Sequence, residues 1–201
     1  MIERTLDRLH GGMVFRRRVR VLAAHLARLI PGGSTVLDIG AGDGSIGSAI
    51  CAQRSGLRMR GIDVLVRGHT AYPVDAFDGL HIPHPDGSFD VALFVDVLHH
   101  TVDPAALLAE AARVARTVVI KDHLLEGLLA SPTLRLMDWV GNARHSVVLP
   151  YNYLTRRQWD EAFSRSGLTI EEWQQRLGLY PFPVDLLFDR SLHYVARLRS
   201  R

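Results

Sequence analysis

The stretch VLDIGAGDGSIG, Val36 to Gly47, puts four glycines within eight positions, directly after a short apolar run and directly before a segment of helical period. Glycine lets a backbone turn tightly and approach another group with no Cβ in the way. Strand, glycine turn and helix in that order make the opening unit of an α/β fold. In such folds ligands bind outside the carboxyl ends of the parallel strands, where the strand order reverses. The loop is therefore both a fold signal and a candidate binding site.

The rest of the chain keeps the alternation. Phe15, Val19, Leu22, Leu26 and Leu29 recur at helical spacing over 13–30, and PGG at 31–33 stops that helix. TVLDI reads as a first strand and Gly44 to about Gln53 as the helix after it. LRMRGIDV is a second strand, AYPVDAF a weak third interrupted by Pro73, and FDVALFVDV a strong fourth. Asp103 before Pro104 predicts an N-cap and a helix through Arg113, followed by a fifth strand, ARTVVIKD. A helix is expected from about Leu124 to Val140. Thr155 with Gln158 predicts a capping box on a helix that ends at Gly167, and LTIEEW and LHYVARL are two closing strands. The pattern predicts one α/β domain with a mostly parallel sheet.

Composition narrows the function classes. With 201 residues, 47% of them hydrophobic, the chain has material for one domain with a real core. Its formal charge of +3 is concentrated in FRRRVR and RLRSR, short of the basic, aromatic-studded face that nucleic-acid binding needs. The start carries acidic residues rather than a signal peptide, and no apolar run is long enough to cross a bilayer, so a cytoplasmic location is expected. Cys51 stands alone, which leaves no internal disulfide and no multi-cysteine metal site, and no metal is expected.

Gly42, Gly44 and Gly47 satisfy the G-x-G-x-x-G spacing of dinucleotide sites. That fingerprint sets a pyrophosphate on a helix N-terminus, where Asp38 and Asp43 would put negative charge against negative charge. S-adenosylmethionine carries an ammonium and a sulfonium and no phosphate, so it suits carboxylate-edged glycines better. An NAD-dependent oxidoreductase is the weaker alternative.

From about Thr35 to Asp122 the chain resembles the class I S-adenosylmethionine-dependent methyltransferases, near the ubiquinone-type and small-molecule group, through LDIGAGDG, GIDV, FDGLHIPHPDGSFD and the strand after it. The resemblance implies a Rossmann-like fold with an antiparallel closing strand and helices on both faces. It implies that Asp38 meets the methionine end while Gly40, Ala41, Gly42 and Gly44 line the cofactor. Asp63, with Val64 beside it, would take the ribose hydroxyls, 19 residues past Gly44. Asp78 and Gly79 would meet the adenine, with Asp75 as the alternative, and Asp96 the methionine end. His84 in place of an aromatic residue and Pro73 in the third strand depart from the family pattern. The implied reaction is methyl transfer to an O, N or C atom of a small organic molecule, leaving S-adenosylhomocysteine. The alternative is a protein of the same fold that binds the cofactor without transfer, as a cyclase, a regulator or a degenerate enzyme.

An acceptor proton calls for a base. His99 and His100 follow the fourth strand, Asp122 and His123 the fifth, and His100 and His123 are the candidate catalytic residues. Residues 138–155, with Trp139, Asn142, His145, Tyr151 and Tyr153, suit an apolar acceptor pocket with polar anchors, which YPFPVD near Tyr180 could close. Residues 1–33 are expected as a helical lid, 34–123 as the cofactor-binding core and 124–201 as the acceptor side. Arg16, Arg17, Arg18 and Arg20 are expected on a solvated face, with contact to a membrane surface the less favoured reading.

Overall fold

The computed structural model describes residues 2–142 and 151–200, with side chains described for 16–139 and 151–200. Seven strands form a single sheet: β1 (Thr35–Ile39), β2 (Arg58–Asp63), β3 (Val74–Ala76), β4 (Phe89–Val95), β5 (Ala115–His123), β6 (Leu168–Gln175) and β7 (His193–Ser200). Their order is β3-β2-β1-β4-β5-β7-β6. β3, β2, β1, β4 and β5 pair in parallel, and β7 runs antiparallel to β5 on one side and β6 on the other. From β1 the chain builds outward to β3, then returns to place β4 on the other side of β1. The strand order therefore reverses between β1 and β4, and their carboxyl ends border the ligand-binding crevice of such sheets.

The central strands are apolar on both faces because helices cover both. Val36, Val91, Leu93, Val119 and Val195 face α1 (Ile2–Leu29) and α2 (Ser45–Gln53), meeting Leu22, Leu26, Ile30 and Ile50. Leu37, Ile39, Ala92, Phe94, Val118 and Ile120 face α3 (Pro104–Val114) and α5 (Arg156–Arg165), meeting Leu107, Leu108, Trp159 and Phe163. Both predicted caps form. Asp103 accepts the N–H groups of Ala105 and Ala106 ahead of α3, and Thr155 and Gln158 close a reciprocal box on α5. Such caps contribute about 1 kcal/mol each.

Elsewhere the boundaries move. α4 (Ala130–Asn142) starts later than expected because Gly127 and Leu129 both have positive φ, which a right-handed helix does not admit. α1 begins at Ile2, ahead of the Gly11-Gly12 pair that interrupts its apolar period. The second half of α1 packs into the core through Leu22, Ala23, Leu26 and Leu29. Cys51 is half-buried. A short helix, α6 (Asp185–Phe188), precedes β7. No helix of the described residues is long and apolar enough to cross a membrane.

Candidate active site

The loop after β1 folds back over β2: the N–H groups of Gly40 and Ala41 both donate to the Ile62 carbonyl, at 2.8 and 3.2 Å. Asp63, at the end of β2, completes the clamp. Its Oδ2 accepts from Gly42 N–H and its Oδ1 from Leu65 N–H, each at 2.8 Å. Gly42 has φ 60°, and a Cβ there would meet no described heavy atom within 4 Å, so its bare backbone faces open space.

Gly47 is different. A Cβ there would strike the Tyr72 hydroxyl and the Met59 sulfur. The Tyr72 ring also packs against Gly44 and Gly61, and its hydroxyl donates to Asp38. Part of the glycine pattern therefore admits a tyrosine of this chain rather than a ligand. Asp38 needs correcting with it. The carboxyl is buried and turned to Tyr72 rather than open to a methionine end, and burial, reinforced by nearby Asp63, pushes it up to about 6 against the Tyr72 hydrogen bond.

Among the residues expected at the adenine, Val64 and Gly79 come together: a Cβ on Gly79 would lie 3.1 Å from Val64 Cγ1. Asp78 spends both oxygens on its own loop, accepting the N–H groups of Leu80 and His81 at 2.7 Å and His81 Nδ1 at 2.9 Å. The His81 side chain, then the two N–H groups, hold it down to about 2. Asp75 pairs with Arg60 at 2.7 Å. Neither carboxylate is held ready for an exocyclic amine.

Beyond β4 and β5 lies a buried polar cluster. Asp96 follows β4 with φ 58°, unusual for a residue with a side chain, and its N–H donates to the Lys121 carbonyl at 2.9 Å. Its carboxylate receives Arg18 of α1 at 2.6 Å and the ammonium of Lys121, which is fully buried in β5. Burial would raise the Asp96 carboxyl, but Lys121 and Arg18 outweigh it and hold it well below the usual range. Asp96 thus carries two cations of this chain, and Arg18 is not on a solvated face.

The histidines join this cluster. His99 Nδ1 bonds Asp122 at 2.6 Å, and Asp122 also accepts the N–H groups of Leu98 and His123. His99 Nε2 lies 3.4 Å from Asp138 of α4, whose carboxylate takes the Tyr153 hydroxyl at 2.5 Å. Burial works against protonating His99, yet Asp122 and Asp138 prevail and push it up to about 10. Burial and then His99 push His100 down to about 4. His123, lowered by burial and by Lys121, has Nε2 3.6 Å from both Asp96 and Asp138.

Its partner is His193 of β7, with the two Nδ1 atoms 3.2 Å apart. His193 Nε2 lies 2.9 Å from the Phe188 carbonyl, which can only accept, so Nε2 carries the proton. In neutral His193 the lone pair is then on Nδ1, and His123 must donate from its own Nδ1. The lone pair of neutral His123 is left on Nε2, between Asp96 and Asp138.

Both candidate bases therefore fall in one cluster, while Tyr72, Lys121 and His193 escaped the sequence reading. Lys121 had a signal, a charge inside an apolar strand; His193 had none. Among groups that could hold a metal, the ligand atoms of His99, His100 and Asp138 all lie within 4.8 Å of one another. Trp139 is mostly exposed. The Asn142 side chain and His145 lie outside the described residues.

Comparison with known proteins bears on the family and the fold. An uncharacterized methyltransferase of Mycobacterium sp. (strain JLS) is 32% identical over 124 residues, covering 57% of this chain and 48% of that protein. The chain thus spans about half the length of the curated relatives it matches. Among solved structures, a chain of the complex between the Haloferax volcanii Trm112 methyltransferase activator and a methyltransferase superposes with TM-score 0.68 at 18% identity, over 94% of this chain and 92% of that one. Geranyl diphosphate methyltransferase in complex with S-adenosylmethionine gives TM-score 0.67 at 15% identity, over 90% and 85%. The sequence profile of the methyltransferase domain matches residues 14–172, and the chain belongs to the class I S-adenosylmethionine-dependent methyltransferase family.

Proposed function

We propose that this chain transfers a methyl group from S-adenosylmethionine to an O, N or C atom of a small organic acceptor. The observation that carries this reading is a juxtaposition at the carboxyl ends of β1, β4 and β5: a glycine loop, open at Gly42 and pinned by Asp63, beside a buried cluster in which His123 Nε2 lies 3.6 Å from Asp96 and Asp138. The cofactor fits the residues present. Gly42 leaves its space clear, and Asp38, Asp43 and Asp63 around the loop are all acidic, which favours a cation over a pyrophosphate.

When bound, S-adenosylmethionine supplies a methyl carbon made electrophilic by its sulfonium. Asp63 uses one lone pair of each oxygen on backbone N–H groups and keeps others for the two ribose hydroxyls. Val64 and Gly79 offer adenine an apolar wall and a bare backbone. Gly40, Ala41 and Asp96 border the methionyl end, with Asp38 behind them on Tyr72.

On the acceptor side, His123 has its Nε2 3.6 Å from two carboxylates, Asp96 and Asp138, so the base role falls to it rather than to His100. Burial keeps His123 neutral beforehand, and the Asp96 and Asp138 carboxylates stabilise the proton once it arrives. In-line displacement then needs reacting atoms held about 3 to 3.5 Å apart with water excluded.

Incubation with S-adenosylmethionine and an acceptor library is expected to release S-adenosylhomocysteine. By calorimetry, S-adenosylhomocysteine is expected to bind far more tightly than NADH, and Asp63→Ala to weaken it by roughly tenfold to several hundredfold. Unchanged affinity in that variant, or NADH binding the tighter, overturns the cofactor reading. Product binding with no release from any acceptor overturns the transfer.

A further inference from the structure

We propose that His99, His100 and Asp138 bind one divalent transition-metal ion at the acceptor end of the cleft. The first observation is convergence. His99 Nε2 and His100 Nδ1 are both buried without a hydrogen-bond partner, and they share a 4.8 Å span with an Asp138 oxygen. The two imidazoles, on the 3-10 turn Leu98–His100, have ring centroids 4.0 Å apart.

The second observation is independent and concerns what lies behind the ligands. Asp122 accepts the Nδ1 proton of His99, which leaves Nε2 as the coordinating atom, and Asp122 is itself held by two backbone N–H groups. A carboxylate behind a histidine is the usual way a protein fixes the ring and tautomer of a metal ligand. The Tyr153 hydroxyl fixes the Asp138 carboxylate in the same manner.

Two imidazole nitrogens and one carboxylate oxygen suit Zn2+ or Fe2+ rather than Mg2+ or Ca2+, which prefer oxygen alone. Tetrahedral bonds near 2.1 Å put ligand atoms about 3.4 Å apart, so the widest pair has to close by no more than about 1.4 Å. Three protein ligands leave a position for water or an acceptor oxygen, and His100, only half-buried, gives the ion a way in. Any use of the metal in activating an acceptor rests on the proposed methyl transfer. Its binding does not, so the test reads binding alone. The competing account is a proton on His99 shared with Asp138 across 3.4 Å.

The chelator-stripped full chain is titrated with Zn2+ by calorimetry and with Co2+ by visible absorption. One equivalent is expected to bind, with affinity at least tenfold lower in His100→Gln and in Asp138→Asn, and tenfold to a hundredfold lower in Asp122→Asn. Should a variant fail to fold by circular dichroism, X-ray absorption of the Zn2+-loaded wild type decides instead: two imidazoles with oxygen ligands and no sulfur are expected. Absence of stoichiometric binding, wild-type affinity in folded His100→Gln and Asp138→Asn, or a shell with sulfur or fewer than two imidazoles overturns the site.

Discussion

The two halves of the proposed cleft, one for the cofactor and one for the acceptor, are built on opposite plans. On the cofactor side, one loop and the end of the neighbouring strand do most of the work, with backbone N–H groups as donors and Asp63 as the clamp. On the acceptor side, side chains from α1, β5, α4 and β7 and from the segment after β4 meet in a buried cluster of charges and imidazoles. The difference is one of dependence. A loop of local hydrogen bonds can lose a member and re-solvate, whereas a buried charge deprived of its partner has no water to turn to.

Removing Lys121 tests that dependence most severely. Lys121→Met leaves the Asp96 carboxylate with Arg18 alone, and a loss of about 3 to 5 kcal/mol of stability is expected in urea unfolding. Adding Asp96→Asn, which tolerates the left-handed backbone, is expected to restore part of it. A loss under about 1 kcal/mol means that the two halves do not differ as described.

Asp38 brings the same physics to the cofactor side. Its folded pKa near 6 lies above the unfolded value near 3.8, so the ionised form is penalised only in the fold. The protein has its full stability from this group below about pH 4 and loses it as pH rises through 6, by about 3 kcal/mol at most. Asp38→Asn is expected to raise the melting temperature of the ligand-free chain at pH 8 and to leave it nearly unchanged at pH 4. A gain of equal size at both values removes the buried carboxylate from the explanation.

Two glycines sharpen the comparison at the smallest scale. Gly47→Ala drives a methyl into Tyr72 and Met59, and is expected to cost roughly 1 to 3 kcal/mol of stability. Gly42→Ala meets no described side chain and costs about 1 kcal/mol through its positive φ, but it narrows the space left for a nucleoside. Thermal melts with and without S-adenosylhomocysteine separate them: Gly47→Ala lowers the ligand-free midpoint more, and Gly42→Ala loses more of the ligand-induced rise.

Legibility in the sequence follows the same division. The strands, the caps at Asp103 and Thr155 and the glycine loop are local patterns, so they read directly. Asp63 was visible from its distance to the loop, but its bond to Gly42 N–H was not. Tyr72 was hidden because its partners, Asp38 and Gly47, lie more than twenty residues away. His99 was set aside for its neighbour His100, and its contacts with Asp122 of β5 and Asp138 of α4 come from segments far along the chain. His193 sits in an ordinary strand pattern and acquires meaning only once β7 lies beside β5.

That placement of β7 has a consequence for how the molecule comes into being. β6 is made before β7, yet among the described strands it pairs with β7 alone, so on a ribosome it waits unpartnered until its successor slides in between it and β5. The same insertion delivers His193 to His123. A nascent chain can therefore assemble its glycine loop early, but His123 meets its ring partner only when the sheet closes.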